Sequence, residues 1–203
     1  MKRYATIVVD PPWPYERARY RFAWRPGAPS GGDLEFIRYP IMRLHEIAAL
    51  PVRDLAAEDA HLYLWSTQRF FIDAHAIAES WGFSVSKVLT WCKPPTGFAL
   101  GGTYGSASEF ALFCRRGHLA AKAKVPRDWF VWPRAGGHSA KPEAFLDMVE
   151  TVSPGPYLEL FARRQRLGWD TWGDEALCHV EINGAGYRDA ATPPASTTDN
   201  PAK

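Results

Sequence analysis

Short apolar segments alternate with helical segments along this chain, and this alternation limits the fold more than any other feature of the sequence. Apolar, β-branched or alternating runs predict strands at residues 5–9, 61–65, 83–91, 109–116 and 157–163, with a short final strand inside 169–175. Helices are predicted at residues 43–50, 67–81 and 141–153. Strands that alternate with helices favour an α/β fold, with a mostly parallel sheet and helices on both of its faces.

The ends of the predicted strands carry several candidate functional side chains. Asp10, Trp65, Lys93 and Arg163 each close or directly follow a strand. In open α/β sheets, binding sites lie at the carboxyl ends of the strands. We therefore expect these side chains to face one crevice.

The size and charge of the chain limit the classes of protein to which it can belong. It has 203 residues, of which 46% are hydrophobic, so one domain with a buried core can form. We assign residues 1–183 to this domain and the small, polar, proline-rich residues 184–203 to a disordered tail. The net charge of +2 excludes a strongly basic nucleic-acid-binding protein, so contacts with a polyanion must come from local basic loops.

Cysteine usage and the apolar segments indicate a cellular location. The three cysteines form no CxxC pair, which argues for a reducing compartment and against a disulfide framework or a metal site. Asp10 interrupts the first apolar run, so no signal peptide is predicted. No apolar stretch approaches the roughly 20 residues that span a membrane. The sequence therefore predicts a soluble cytoplasmic protein that does not contact a membrane.

The first predicted strand ends in Asp10-Pro11-Pro12-Trp13, which suits the recognition of an amino group on a flat ring. Two prolines fix the backbone, and we expect their carbonyls to lack local amide partners. The Asp10 carboxylate adds another acceptor, and Trp13 offers a face for stacking. Adenine and cytosine each carry an exocyclic amine of the required kind. The alternative is a plain strand end in which Trp13 packs into the core.

A cluster of acceptors also favours a reaction at that amine. The nitrogen is a poor nucleophile because its lone pair is delocalised into the ring. Hydrogen bonds from its two protons keep electron density on the nitrogen, which can then attack an electrophilic methyl carbon. The cation that forms is stabilised by the same acceptors, so their effect is largest in the transition state.

The motif Asp10-Pro11-Pro12-Trp13 after an apolar strand resembles the catalytic motif of amino-group methyltransferases that use S-adenosylmethionine. The Trp variant is similar to the METTL-type adenine-N6 methyltransferase family, named for the seventy-kilodalton subunit of the mRNA adenosine methyltransferase. The resemblance covers about residues 5–176 and continues, in order, through HLYLWSTQRFF, VLTWCKPP, HSAKPEAF and SPGPYLELFARRQRLGWDTWGDE. Bacterial and phage members have this compact form.

This resemblance implies a Rossmann-like methyltransferase fold in which the catalytic strand precedes the cofactor strand, a circularly permuted order. The sequence has no GxGxxG fingerprint, so the cofactor site is implied by the family alone. Lys141 would hold the methionine carboxylate of S-adenosylmethionine, and Arg163 with Asp174 would reach the ribose hydroxyls. The family often has Asn where this chain has Asp174, and either side chain can bond a diol. The implied cofactor-binding residues are Asp10, His138, Lys141, Glu159, Phe161, Arg163, Asp174 and Glu175.

The segment after the catalytic motif, residues 15–25 (YERARYRFAWR), places arginines among aromatic residues. This pattern suits contacts with phosphates and bases. The alternative is a solvated loop whose aromatic residues tuck into the core. By resemblance, Glu109 aligns with an acidic position near the target base. The residues predicted to contact the substrate are Tyr15, Arg17, Arg19, Trp65, Lys93 and Glu109.

The resemblance implies methylation of the N6 amine of adenine in nucleic acid, and the bacterial and phage form favours DNA over RNA. Cytosine N4 methylation uses similar acceptors, but Trp13 and the later blocks favour adenine. Non-catalytic partner subunits of the family typically lose Asp10 or the cofactor residues, which this chain keeps. A plain nucleic-acid-binding module would not need acceptors at a buried strand end. Relatives commonly work as pairs, which implies a homodimer or a partner subunit.

Overall fold

The computed structural model describes residues 2–15, 41–94, 103–133 and 140–182. In these ranges the strands are β1 (Tyr4–Val9), β2 (Ala56–Ser66), β3 (Ser84–Cys92), β4 (Ser108–Arg116), β5 (Trp129–Val131), β6 (Tyr157–Leu160) and β7 (Trp169–Trp172). The helices are α1 (Leu44–Ala48), α2 (Val52–Leu55), α3 (Phe71–Ser80) and α4 (Glu143–Val152), and a 3₁₀ turn (Gln68–Phe70) precedes α3.

These strands form one sheet in the order β5-β3-β4-β2-β1-β6-β7. β4 runs antiparallel to both of its neighbours, β2 and β3, and the other pairings are parallel. The mostly parallel α/β sheet predicted from the sequence is therefore confirmed. β1 comes first in the chain but lies inside the sheet, between β2 and β6. Its carboxyl end therefore has other strands on both sides.

The sheet separates two apolar layers. On one face Ile7 and Val9 of β1 pack in a core that includes Ile77 of α3, and on the other face Val8 packs in a core with Phe145 of α4. Because both faces of β1 are covered, its sequence reads as a continuous apolar run without alternation. Helices lie on both faces, as the sequence predicts.

The structure also differs from the sequence prediction in several elements. β5 and α2 lie in segments for which no regular structure was expected, and β2 begins at Ala56 instead of residue 61. β6 ends at Leu160 instead of residue 163, because Phe161 adopts a left-handed backbone with φ of 64°. A strand cannot continue through this conformation. The chain therefore turns sharply where the candidate site begins.

In the part of the chain that the structure describes, no helix is long and apolar enough to cross a membrane. The predicted tail, residues 184–203, lies outside the described residues.

Candidate active site

One edge of the sheet brings together charged side chains from distant parts of the sequence. Asp10 follows β1, Lys93 follows β3, and Lys141 precedes α4. Glu109 is the second residue of β4, and it reaches the same edge because β4 runs antiparallel to β2 and β3. The crevice expected at the carboxyl ends of the parallel strands therefore gathers two carboxylates and two ammonium groups.

Lys141 and Asp10 form the central contact of this cluster. The Lys141 Nζ atom donates to Asp10 Oδ1 at 2.8 Å and to Asp10 Oδ2 at 2.7 Å. Both side chains are largely buried, with 17% and 24% of their surface exposed. Lys141 Nζ also lies 3.4 Å from Glu109 Oε2, and Lys93 donates to Glu109 Oε1. The Lys141 ammonium further lies 5.2 Å from the ring centroid of Trp65.

The pKa shifts in this cluster follow from burial and from the neighbouring charges. Burial raises the pKa of Asp10, and the Lys141 ammonium only partly offsets the effect. Burial acts on Glu109 in the same direction, but the Lys141 and Lys93 ammonium groups outweigh it and lower its pKa. For Lys141, burial favours proton loss, yet the carboxylates of Asp10 and Glu109 raise its pKa overall. The ammonium charge of Lys141 is therefore a fixed part of the site at neutral pH.

A small cavity lies beside the Lys141–Asp10 pair, and Trp65, Glu159, Phe161 and Arg163 contribute to its lining. Glu159 is a β6 residue, and its Oε2 atom is buried without a hydrogen-bond partner among the described residues. Burial raises the pKa of Glu159 to about 7. A buried acceptor without a donor is costly to keep. The cavity therefore has an acceptor that a bound donor group could satisfy.

The end of β6 reaches this cavity by a close approach to β7. The Ala162 N–H donates to the Trp172 carbonyl at 3.0 Å, and the Phe161 ring packs edge-on against Trp172 at 5.2 Å. A Cβ atom at Gly173 would lie 2.2 Å from the Ala162 carbonyl oxygen, so only glycine fits there. This contact fixes the turn that carries Arg163 to the site.

Both proline carbonyls of the Asp-Pro-Pro-Trp segment have backbone partners, but only the partner of Pro11 is local, so the expectation that the carbonyls lack local amide partners was wrong for Pro11. The Trp13 N–H donates to the Pro11 carbonyl at 2.9 Å, and the Met42 N–H donates to the Pro12 carbonyl at 2.9 Å. The chain reverses tightly after Pro11, which brings the Trp13 amide within reach, whereas the partner of Pro12 comes from a distant part of the sequence. A carbonyl oxygen has two lone pairs, so each can still accept another hydrogen bond.

The Trp13 ring is buried in protein, with 4% of its surface exposed. It stacks on Phe70 at 5.3 Å, and its Nε1 donates to the Trp65 carbonyl at 3.1 Å. These contacts fasten the motif to the end of β2. The stacking of Trp13 on a substrate base stays a prediction, because its contacts in this structure are with the core.

The other predicted site residues fall into three groups. Tyr15 is half-buried, and its hydroxyl contacts the Thr67 hydroxyl next to the end of β2. Asp174 and Glu175 follow β7 and are exposed, and they are not part of the cavity lining. The predicted residues outside the described ranges are His138, Arg17 and Arg19.

Sequence reasoning missed two residues that shape the cavity. Phe145 of α4 lines it and packs against Trp65 with ring centroids 4.5 Å apart. Arg164 also lines it, and its guanidinium contacts Glu143. Phe145 lies in the block HSAKPEAF, from which only His138 and Lys141 were assigned a role, and Arg164 neighbours the assigned Arg163. Both sequence blocks were recognised, but a sequence does not show which of their side chains point into the cavity.

Comparison with known proteins decides the family. The model of the MT-A70 family matches residues 4–175. The chain belongs to the MT-A70 family. The matched region contains the whole charged cluster of Asp10, Lys93, Glu109 and Lys141.

The chain is similar to three relatives, and the match covers a different share of each relative's length. The type II methyltransferase M.MunI of Mycoplasma sp is 31% identical over 86% of this chain and 78% of its own sequence. The N6-methyladenosine RNA methyltransferase MTA1 of Cryphonectria parasitica is 28% identical over 84% of this chain and 51% of its own. The N(6)-adenine-specific methyltransferase METTL4 of Homo sapiens is 27% identical over 87% of this chain and 38% of its own.

Membership of a methyltransferase family implies S-adenosylmethionine, and the residues around the cavity fit this molecule. The Lys141 ammonium suits a carboxylate, and the Asp10 carboxylate suits an ammonium group. The Oε2 atom of Glu159, which has no hydrogen-bond partner in the described part of the chain, is an acceptor for a hydroxyl donor. Trp65 and Phe161 supply apolar walls. The donors and acceptors of an amino acid joined to a ribose therefore find counterparts in this one cavity.

Proposed function

We propose that this MT-A70 protein transfers a methyl group from S-adenosylmethionine to the N6 amine of adenine in DNA. The observation that carries the proposal is the position of Asp10. Its carboxylate closes a buried strand, lies next to a cavity suited to the cofactor, and belongs to an Asp-Pro-Pro-Trp segment of defined conformation. Membership of the family over residues 4–175 supports the same reaction.

Asp10 and the second lone pair of the Pro11 carbonyl would accept hydrogen bonds from the two protons of the target amine. S-adenosylmethionine supplies an electrophilic methyl carbon on a sulfonium. The nitrogen would form a bond to this carbon while the carbon–sulfur bond breaks and its electron pair stays on the sulfur, which leaves as a neutral thioether. The Asp10 carboxylate would stabilise the positive charge that develops on the nitrogen, in a site that excludes much of the water. Because burial raises the pKa of Asp10, the carboxylate is also a better proton acceptor once the new bond has formed.

The remaining residues of the site would bind the cofactor and the nucleic acid. Lys141 would hold the amino-acid carboxylate, and Glu159 would accept from the ribose hydroxyls. Arg163 lies close enough to lower the pKa of Asp10, so it belongs to the same edge. The residues assigned to the cofactor by resemblance alone are His138, Asp174 and Glu175. The residues that would contact the substrate are Tyr15, Arg17, Arg19, Trp65, Lys93 and Glu109.

We favour DNA as the substrate because the chain matches a larger share of a type II methyltransferase than of an RNA methyltransferase. The chain spans 78% of M.MunI, a type II methyltransferase, but only 51% of the RNA methyltransferase MTA1. The match to MTA1 is nevertheless the observation that favours RNA as the second candidate. A cytoplasmic location and a homodimer or partner subunit complete the proposal.

The first experiment identifies the product. The purified protein is incubated with S-adenosylmethionine carrying a labelled methyl group and with unmodified DNA or RNA, each single- and double-stranded. The nucleic acid is then digested to nucleosides and analysed by mass spectrometry. We expect labelled N6-methyladenine in DNA. Label in RNA alone would replace DNA with RNA, and label on cytosine would contradict the choice of base. The absence of both label and cofactor binding would contradict the enzyme assignment.

Asp10→Ala should lower the rate of methyl transfer by at least about 100-fold, because one preorganised group at a developing charge is worth that much. The measurement is the initial rate at saturating cofactor, with circular dichroism to confirm the fold. Glu79→Gln is the matched control, since Glu79 is exposed at the far end of α3. An Asp10→Ala variant that keeps the wild-type rate would remove Asp10 from the catalytic site.

A further inference from the structure

Lys141 contacts the same two oxygens of Asp10 that the proposed reaction needs. Its Nζ lies 2.8 Å from Oδ1 and 2.7 Å from Oδ2, so one ammonium faces the whole carboxylate. The target amine would have to bind these oxygens. In this structure the Lys141 ammonium therefore competes with the target amine for both oxygens of Asp10.

A nucleobase amine cannot remove this ammonium by itself. The amine is neutral, so exchange would leave a buried carboxylate without its counterion, and breaking one side of a buried ion pair is strongly unfavourable. The pair is largely shielded from water, with exposed fractions of 17% and 24%. The opening of Asp10 thus requires another group that attracts Lys141.

Glu109 is a second carboxylate that the Lys141 ammonium can reach with very little movement. Lys141 Nζ is 3.4 Å from Glu109 Oε2, and a shift of about 0.6 Å would shorten this to a charge-assisted hydrogen bond of about 2.8 Å. Lys93 donates to the other oxygen of Glu109, which fixes the carboxylate in place. The Trp65 ring lies 5.2 Å from the ammonium and stabilises a cation in this region.

We propose that Lys141 closes Asp10 in the free enzyme, and that the cofactor carboxylate together with Glu109 draws the ammonium away, so that the target amine binds only after the cofactor. The inference rests on the proposed function, in which Lys141 holds that carboxylate. In this step Glu109 acts through Lys141 as a positioning residue, in addition to the contact with the substrate proposed for it above. Lys93 supports it by holding Glu109.

The test measures recognition of the amine without any turnover. A DNA oligonucleotide that the methyl-transfer assay has identified as a substrate is compared with the same oligonucleotide carrying purine, which lacks the amine, in place of the target adenine. The Kd of each is measured by fluorescence anisotropy in three conditions: without cofactor, with saturating S-adenosylhomocysteine, and with saturating 5′-methylthioadenosine. The last molecule keeps the nucleoside and sulfur but lacks the carboxylate.

We expect the purine-to-adenine ratio of Kd values to be near one without cofactor. With S-adenosylhomocysteine it should rise about tenfold, because hydrogen bonds to a charged acceptor then form. With 5′-methylthioadenosine it should stay near one. A ratio that is already high without cofactor, or that rises equally with both nucleosides, would overturn the proposal.

A second variant tests the role of Glu109 directly. Glu109→Gln removes the charge but keeps the shape, so the variant should still bind S-adenosylhomocysteine while its ratio stays below about threefold. Glu79→Gln, the matched control, should keep the full ratio. A Glu109→Gln variant with the full ratio would overturn the positioning role.

Failure of the proposed function has a different signature. In that case the protein yields no N6-methyladenine and calorimetry detects no binding of S-adenosylhomocysteine, and this inference falls with it. When product forms and S-adenosylhomocysteine binds but the ratio does not change with the cofactor, only the coupling between Lys141 and Asp10 is overturned.

Discussion

At the scale of single residues, Glu159 lowers the stability of the folded protein but is suited to accept a hydrogen bond from a ligand. Its Oε2 atom is buried without a hydrogen-bond partner in the described part of the chain. Burial raises its pKa from 4.5 to about 7, while the Arg164 guanidinium acts in the opposite direction. The folded protein therefore binds this proton more tightly than the unfolded chain. The contribution of Glu159 to the free energy of unfolding is therefore fully present below about pH 4.5, and it is lost as the pH rises through about 7.

Glu159→Gln should therefore stabilise the protein at pH 8 by on the order of 3 kcal/mol, because the amide carries no charge to bury. The gain should shrink towards pH 5, where the wild-type side chain is protonated in the folded state. Denaturant unfolding at several pH values measures the difference. The same variant should bind S-adenosylhomocysteine more weakly. A stability difference that does not change with pH would contradict the raised pKa, and Glu79→Gln should stay within about 0.5 kcal/mol of wild type throughout.

Sequence reasoning at this scale identified Asp10, Lys141 and Glu109 but not their mutual contacts. Asp10 and Lys141 are 131 positions apart, so their contact depends on how the strands and α4 pack. Residue type and motif predict which groups are chemically useful. They do not predict that the Lys141 ammonium pairs with both oxygens of the Asp10 carboxylate, because this contact depends on distances of a few tenths of an ångström.

At the scale of elements, the long apolar or periodic segments were predicted, and two short elements, β5 and α2, were not. β1, β3 and β4 lie within one or two residues of the predicted bounds. β5 has only 3 residues and forms because it pairs with β3, so its own sequence carries too little pattern to predict it. The antiparallel direction of β4 also escapes the sequence, since a strand reads the same in either direction.

Arg166 ties the segment after β6 to α4, and this tie holds two parts of the site together. Its guanidinium donates to Glu150 Oε1 at 2.8 Å and to Asp147 Oδ1 at 2.6 Å, and it lies 3.4 Å from Glu143 Oε2. Arg163 and Lys141 lie on the two segments that are joined in this way. The three acidic partners are spaced along one face of α4.

Arg166→Met should lower the free energy of unfolding by about 1–2 kcal/mol, more than a single surface ion pair contributes, because several partners are lost together. It should also weaken S-adenosylhomocysteine binding several-fold, since the segment that carries Arg163 is no longer held to α4. Thermal unfolding and calorimetry measure the two effects. Lys87→Met removes an exposed pair of 3.9 Å with Asp128 and should change neither. An Arg166→Met protein that matches this control would show that the tie is not needed.

At the scale of the whole molecule, the two edges of the sheet differ in the charged residues that they carry. The candidate site occupies the edge where the parallel strands end, and Arg3 and Arg115 lie towards the opposite edge, before β1 and at the end of β4. The net charge is only +2, so the overall field attracts nucleic acid weakly. The location of basic residues must therefore decide where a phosphate backbone binds.

The predicted substrate contacts Arg17 and Arg19 lie outside the described residues, and binding at different salt concentrations tests them. Each neutralised phosphate contributes about 0.9 to the slope of log K against log salt for duplex DNA and about 0.7 for a single strand. Replacing both arginines with Gln should therefore reduce the slope by about 1.4 to 1.8. The control pair Arg3→Gln and Arg115→Gln removes the same charge from the opposite edge and should leave the slope unchanged. If both pairs reduce the slope equally, the arginines act through net charge alone and the segment after the catalytic motif is not the nucleic-acid contact.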